Sequence, residues 1–306
     1  MRTRGMEPSV WDLVLFVDIR RSGAVNSALA AFVIFLNVVA QLIFCVVVLE
    51  AFPLRDSYVQ DAINWRETVG HSSAHANDLG QSMVERICAN DQSLHLSAEQ
   101  LQTYDMEESY LKYVSTWRVS TGPIICMLCI HVWLLTILQE FLDSLSFLQG
   151  ISLLQRTRRT VFVETDDGIA IKSIGWGKLA VIWAVSLLRL AVASLLAYSG
   201  CAWLANTKSM EDVILNAAAL AFVLEIDELL YNTLVPFGIR AQAELLAPLR
   251  LPPLSSVVRP DGHTVLKLLA VAAATATVGA LVVMPEVTES WAVKRELCGG
   301  DTNFVV

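Results

Sequence analysis

Five apolar runs, Ala28 to Phe52, Gly122 to Leu142, Lys178 to Leu204, Val213 to Val235 and Thr264 to Met284, are each long enough to cross about 30 Å of hydrocarbon as a helix. Inside a bilayer each backbone N–H and C=O must be satisfied within its own segment, so such runs predict helices rather than strands or loops. Composition agrees: the 306 residues are 55% hydrophobic and only 17% charged, with mean hydropathy +0.53. That balance is too apolar for a soluble domain. The expected fold class is an all-α membrane protein, a bundle of about five transmembrane helices with a small, mainly helical exoplasmic loop subdomain and a short cytoplasmic β-hairpin.

Orientation follows from Lys and Arg, which are enriched on cytoplasmic flanks. With five spans and an inner N-terminus, the inner side holds Arg2, Arg4, Arg20, Arg21, Arg156, Arg158, Arg159, Lys172, Lys178, Arg240, Arg250 and Arg259, against eight cations outside. The bias shrinks if Val213 to Val235 does not cross. This assigns 1–27, 143–177 and 236–263 to the cytoplasmic side, with 53–121 and the tail 285–306 exoplasmic. No cleavable signal peptide is expected, because the first long apolar run continues for a full crossing and reads as a signal anchor. The formal charge of −8 is concentrated in the first loop, and nothing points to nucleic acid.

The unusual feature of these spans is their ionised residues: Arg189 in the third, and Glu225, Asp227 and Glu228 in the fourth. The fourth span's Val, Ile, Leu and Phe residues contribute about −4 to −7 kcal/mol to insertion, whereas three central acids cost about +8 to +10. It is therefore expected to enter as a hairpin with the third span, its acids paired with Arg189. Glu225, Glu228 and Asn232 share one helical face, with Asp227 and Tyr231 roughly opposite, which makes Glu225 or Glu228 the expected partner. At similar depth lie Asn37 and Gln41 of span one, His131 of span two, and Thr275 and Thr277 of span five, a polar belt near mid-membrane.

Three readings of this belt stay open. The first is an ion or proton route with a titrating carboxylate, His131 as relay and Arg189 as counter-charge. The second is a closed ion pair with interhelical hydrogen bonds that only fix packing. In the third, the acids sit near the inner interface and reach water.

Elsewhere the signals are shorter. Ala272, Ala276 and Ala280, with Thr275 and Gly279 beside them, form a small-residue face that predicts close packing of span five. Ser9 and Asp12 followed by Trp11, Leu13, Val14, Phe16 and Val17 predict an interfacial helix within 7–21. Ser97-Ala-Glu-Gln100 fits a capping box for a helix running into span two. The alternation of residues 160–172 around Asp167-Gly168 predicts the β-hairpin. Arg156, Arg158 and Arg159 before it suit anionic headgroups or plain positive-inside anchoring.

Cys88 and Cys298 both fall on the exoplasmic side and are the disulfide candidates, with Cys201 a possible competitor and Cys45, Cys126 and Cys129 embedded thiols. No metal site is expected: Cys126, Cys129 and His131 lack a second ligand pair, and His71, His75, Asp78 and His95 read as a solvated face.

The chain resembles a set of multi-pass membrane proteins of dinoflagellate algae over roughly residues 60 to 240. The resemblance rests on Trp65-Arg66 with Gly70-His71, on Arg86-Ile-Cys88 with Asp91-Gln-Ser-Leu94, on Met127-Leu-Cys129-Ile130, and on the acidic stretch from Asn216 to Glu228. It implies class and topology and no activity. The functional expectation is a channel-like or transport-related protein, or else a scaffold or sensor subunit whose exoplasmic loop binds a partner. No cofactor is expected, nor an enzyme, since no nucleophile–base arrangement is visible. The expected partners are the lipid bilayer and either another membrane protein or a second copy of the chain.

Overall fold

In the computed structural model, residues 3–4, 9–16, 23–51, 58–113, 120–165, 168–246, 249–250 and 260–306 are described. In chain order the elements are β1 (Thr3–Arg4), a 3₁₀ turn (Val10–Leu15), α1 (Ala24–Ala51), α2 (Tyr58–Trp65), α3 (Met83–Cys88), α4 (Ala98–Leu111), α5 (Thr121–Ser152), β2 (Gln155–Thr157), β3 (Val161–Thr165), β4 (Gly168–Gly175), α6 (Trp176–Asn206), α7 (Met210–Leu234), α8 (Phe237–Glu244), β5 (Leu249–Arg250), α9 (Pro260–Val278) and α10 (Met284–Cys298). A π-helical turn, Gly279–Val283, joins α9 to α10 into one helical rod.

Among the described residues, four helices are long and apolar enough to cross a membrane: α1, α5, α6 and the rod Val265–Cys298. This is the signature of an integral membrane protein. The 25-residue α7 is long enough, at 1.5 Å per residue, but Glu211, Asp212, Glu225, Asp227 and Glu228 keep it out of that group. α5 runs ten residues past the predicted end at Leu142, because Phe147, Leu148 and Ile151 continue a buried apolar face beyond Glu140 and Asp143.

The chain divides into two compact units. The first comprises 1–48, 133–200 and 219–271. Its core gathers Val33 and Ile34 of α1, Phe147 and Ile151 of α5, Ile182 of α6 and Tyr231 of α7 around the 3₁₀ turn. That turn corrects the expected interfacial helix. Val10 to Leu15 are all buried, Asp12 included, and Lys178 donates to the Leu15 carbonyl, so the segment is wrapped by protein. Arg20 and Arg21 lie outside the described residues. The predicted hairpin forms between β3 and β4, with Thr165 opposite Gly168, and gains an unforeseen third strand as β2 pairs in parallel with β4. Arg156 stacks its guanidinium 5.2 Å over Trp176.

The second unit comprises 49–132, 201–218 and 272–306. Residues 285–306 belong to its core: α10 packs on α2, α3 and α4, so that Val293 and Leu297 complete a cluster with Trp65, Val84, Ile87 and Leu101. A loop subdomain too small to bury its own apolar surface thus recruits the C-terminal helix. Cys88 and Cys298 close a disulfide across this contact, Cα to Cα 5.7 Å. The last residues are strapped down by Arg66, which donates to the carbonyls of Glu296 and Asp301, and by His71, whose ring stacks 3.8 Å from Phe304.

Three further expectations are corrected here. Ser97 does not cap α4 through its side chain; it adopts left-handed φ of 60° and accepts from the Trp65 indole N–H at 3.0 Å. α4 also stops at Leu111 rather than running into α5, and the Thr121 N–H returns to the Lys112 carbonyl at 2.9 Å. In α9 the buried face carries Val271, Thr275 and Gly279, whereas Ala272, Ala276 and Ala280 are exposed. The rod is the least buried of the four long helices, the reverse of the close packing predicted for span five.

Candidate functional site

Helical periodicity decides which charges face the first unit's interior. On α6 the buried positions Ile182, Ser186, Arg189, Ala193, Leu196 and Gly200 recur every three or four residues, so Arg189 stands in the packing seam with a side chain only 7% exposed. On α7 the seam runs through Leu220, Val223, Asp227 and Tyr231. Asp227 is therefore the buried acid of this helix, and Glu225 and Glu228 are exposed. This reverses the expected assignment of faces. The reason is visible in retrospect: Asp227 is one turn from both Val223 and Tyr231, and the apolar partners, not the acids, select the face.

The partner of Arg189 is Glu140 of α5. Its Nη2 donates to Glu140 Oε2 at 2.7 Å and its Nε to the same oxygen at 3.2 Å, so neither Glu225 nor Glu228 makes the predicted pair. The indole of Trp11 completes the setting, its ring 5.9 Å from the guanidinium carbon. Asp227 is satisfied separately: Oδ2 accepts from the Ser9 hydroxyl at 3.0 Å and Oδ1 from the Glu228 N–H at 2.9 Å. The 3₁₀ turn thus supplies contacts to both the cation and the buried acid.

These groups line a cavity of about 290 Å³, with Ser9, Thr136 and Gln139 beside the carboxyls of Glu140, Asp143, Glu225, Asp227 and Glu228. Among the described residues five carboxyls and one guanidinium line it, and the volume admits several waters. Such a site can hold cations or exchange protons. Sequence reasoning missed Glu140, Asp143, Ser9 and Trp11. The apolar spacing that carries α5 past Glu140 was the available signal.

The remaining residues of the expected belt divide between the units. In the first, Asn37 and Gln41 are buried, and both polar atoms of the Asn37 amide lack a partner among the described residues. In the second, His131 Nδ1 meets the Thr275 hydroxyl at 2.9 Å, while Thr277 is exposed and donates to its own helix at Ala273. Cys126 is buried against the Leu204 carbonyl. His71 is engaged by Arg66 and Phe304, and among the described residues no three His, Cys, Asp or Glu side chains converge on a metal-sized position. Comparison of the chain with models of protein families, with curated proteins and with solved structures finds no match.

Proposed function

We propose that the chain crosses the bilayer five times, with α7 as the fifth crossing, and that its acid-lined cavity is a cation or proton route in a transport-related protein. Parity supports the crossing. α5, α6, α7 and the C-terminal rod lie between Cys88 and Cys298, so the disulfide requires an even number of crossings among them. With three the thiols would face opposite sides. Likewise Thr3 pairs with Arg250 across α1, α5, α6 and α7, which again come out even only if α7 crosses. The Lys and Arg bias then places the N-terminus in the cytoplasm and the disulfide on the exoplasmic side, where an oxidised pair persists. The resemblance to the dinoflagellate set concurs with this class and adds no activity.

The observation that carries the functional reading is the cavity's composition. Carboxyls gathered beside a buried Arg–Glu pair attract cations and repel anions, and such groups are costly to maintain in a membrane segment. The test is flux in liposomes reconstituted with the full chain. Proton or monovalent-cation flux above that of empty liposomes is expected, reduced at least about tenfold by Asp227→Asn. No flux, or flux indifferent to this change, overturns the reading.

One observation favours a second reading, a non-conducting scaffold or sensor whose first loop binds a partner. A groove of about 740 Å³ lies on the second unit, lined by Arg66, Glu67, His71, Glu296 and Phe304. Its mixture of charges and an aromatic ring suits a polar peptide segment. Loss of a co-purifying partner on Glu67→Arg, with flux absent throughout, would select it.

A further inference from the structure

A second cluster of buried polar groups, distinct from the acid cavity, lies within the second unit. Glu107 and Tyr110 are i, i+3 on α4, and Glu286 and Ser290 are i, i+4 on α10. These two helices pack together, and all four residues are at most 8% exposed. Lys208, in the turn between α6 and α7, joins the two faces. Its ammonium donates to Glu286 Oε2 at 3.2 Å and to the Glu286 carbonyl at 3.3 Å, and lies 5.5 Å from the centre of the Tyr110 ring.

Three oxygens in this nest have no hydrogen-bond partner among the described residues: Glu107 Oε2, Tyr110 Oη and Ser290 Oγ. Leaving one such atom unmade costs about 1–3 kcal/mol, so three together point to a guest. Charge specifies it. Two carboxyls against one ammonium leave one negative charge uncompensated, and a hard cation prefers carboxylate, phenol and hydroxyl oxygens. A divalent ion would call for more carboxylate ligands than Glu107 and Glu286, and among the described residues no three His, Cys, Asp or Glu side chains are placed to hold a metal ion.

We propose that the Glu107–Tyr110–Glu286–Ser290 nest binds one small monovalent cation, of the Na⁺ class, in exchange for a proton on Glu107. Burial raises the Glu107 carboxyl above the ordinary range. Lys208 and the neighbouring Ser290 hydroxyl pull it down, and Glu286 and Glu289 push it up. From α5, Cys126 lies against the same group of residues. Burial also raises the Tyr110 phenol, which stays neutral and supplies an oxygen without adding charge. Protonated, the nest is closed and neutral; ionised, it needs the cation.

Thermal unfolding of the full chain in detergent, followed by tryptophan fluorescence at pH 8, tests this with NaCl against choline chloride at equal ionic strength. NaCl should raise the midpoint saturably, and Glu107→Gln should abolish the response. Tyr110→Phe, which preserves packing and removes one oxygen, should weaken the apparent Na⁺ affinity about tenfold. Equal midpoints in NaCl and choline for the unaltered protein, or a NaCl response that survives unchanged in both variants, would overturn the proposal.

Discussion

Arg189 donates twice to a single oxygen of Glu140, from Nη2 at 2.7 Å and Nε at 3.2 Å, and this pair ties α6 to α5 rather than to the neighbouring acidic helix. Glu140 stands twelve residues before the end of α5 at Ser152 and Arg189 thirteen residues after the start of α6 at Trp176. Antiparallel neighbours joined by the β2–β4 segment therefore bring the two to the same height.

Removing either partner strands a charge. Arg189→Glu or Glu140→Arg alone is expected to cost about 3–5 kcal/mol of stability. The double exchange Arg189→Glu with Glu140→Arg should recover most of the folded yield by size-exclusion chromatography. Arg189→Glu with Glu225→Arg should recover none.

The 3₁₀ turn holds the buried acid of α7 through one hydroxyl. Ser9→Ala removes the donor to Asp227 Oδ2 and is expected to destabilise the protein by about 1–3 kcal/mol, whereas Ser9→Thr, which keeps the hydroxyl, should recover most of that loss. Chemical denaturation in mixed micelles measures it.

The disulfide closes a 210-residue separation. Its replacement by Cys88→Ala with Cys298→Ala should lower stability by about 2–5 kcal/mol. The unaltered protein should migrate faster on gels without reductant than with it, and the double variant should not respond.

Gly200 faces Trp133 so closely that an added Cβ would overlap the indole. Gly200→Ala is expected to cost about 1–3 kcal/mol by forcing α5 and α6 apart. Restoration by Gly200→Ala with Trp133→Phe in thermal unfolding would locate the effect in that contact.

The pH dependence of the second unit has a defined sign. Because burial raises Glu107, its protonated form stabilises the fold fully below the ordinary carboxyl range, and that contribution is lost as pH rises through the elevated value. In choline buffer stability should therefore fall with rising pH above about 4.3, and Glu107→Gln should flatten the profile. Asp91 acts in the opposite sense. The Ser93 hydroxyl and N–H, with Arg86, hold it down to about 2, so its small exposed contribution disappears only as the pH falls toward that value.

Some of the protein's organisation was legible because it depends on composition over short windows. The apolar runs that begin at Ala28, Gly122, Lys178, Val213 and Thr264 all lie in helices over 28–51, 122–142, 178–204, 213–234 and 264–284, since apolar length and the need to satisfy backbone groups act locally. Counting the expected crossings made Cys88 and Cys298 the disulfide candidates, with Cys201 as competitor, and the fold joins the first two. The hairpin followed from alternation around Asp167-Gly168. What the sequence alone determined is this inventory of helices, the charges they carry, and the cysteines free to meet.

Partner choice was settled only in three dimensions. Which acid met Arg189 depended on the rotation of α7, set by Val223 and Tyr231 packing into the core, and on the extra turns of α5 beyond Leu142. The burial of Val10 to Leu15, the recruitment of α10 by the loop subdomain and the exposure of Ala272, Ala276 and Ala280 likewise arise from contacts between segments far apart in the chain. Apolar periodicity fixes a helix's existence, but the face it buries depends on the shape of what it meets, and that shape is a property of the assembled fold.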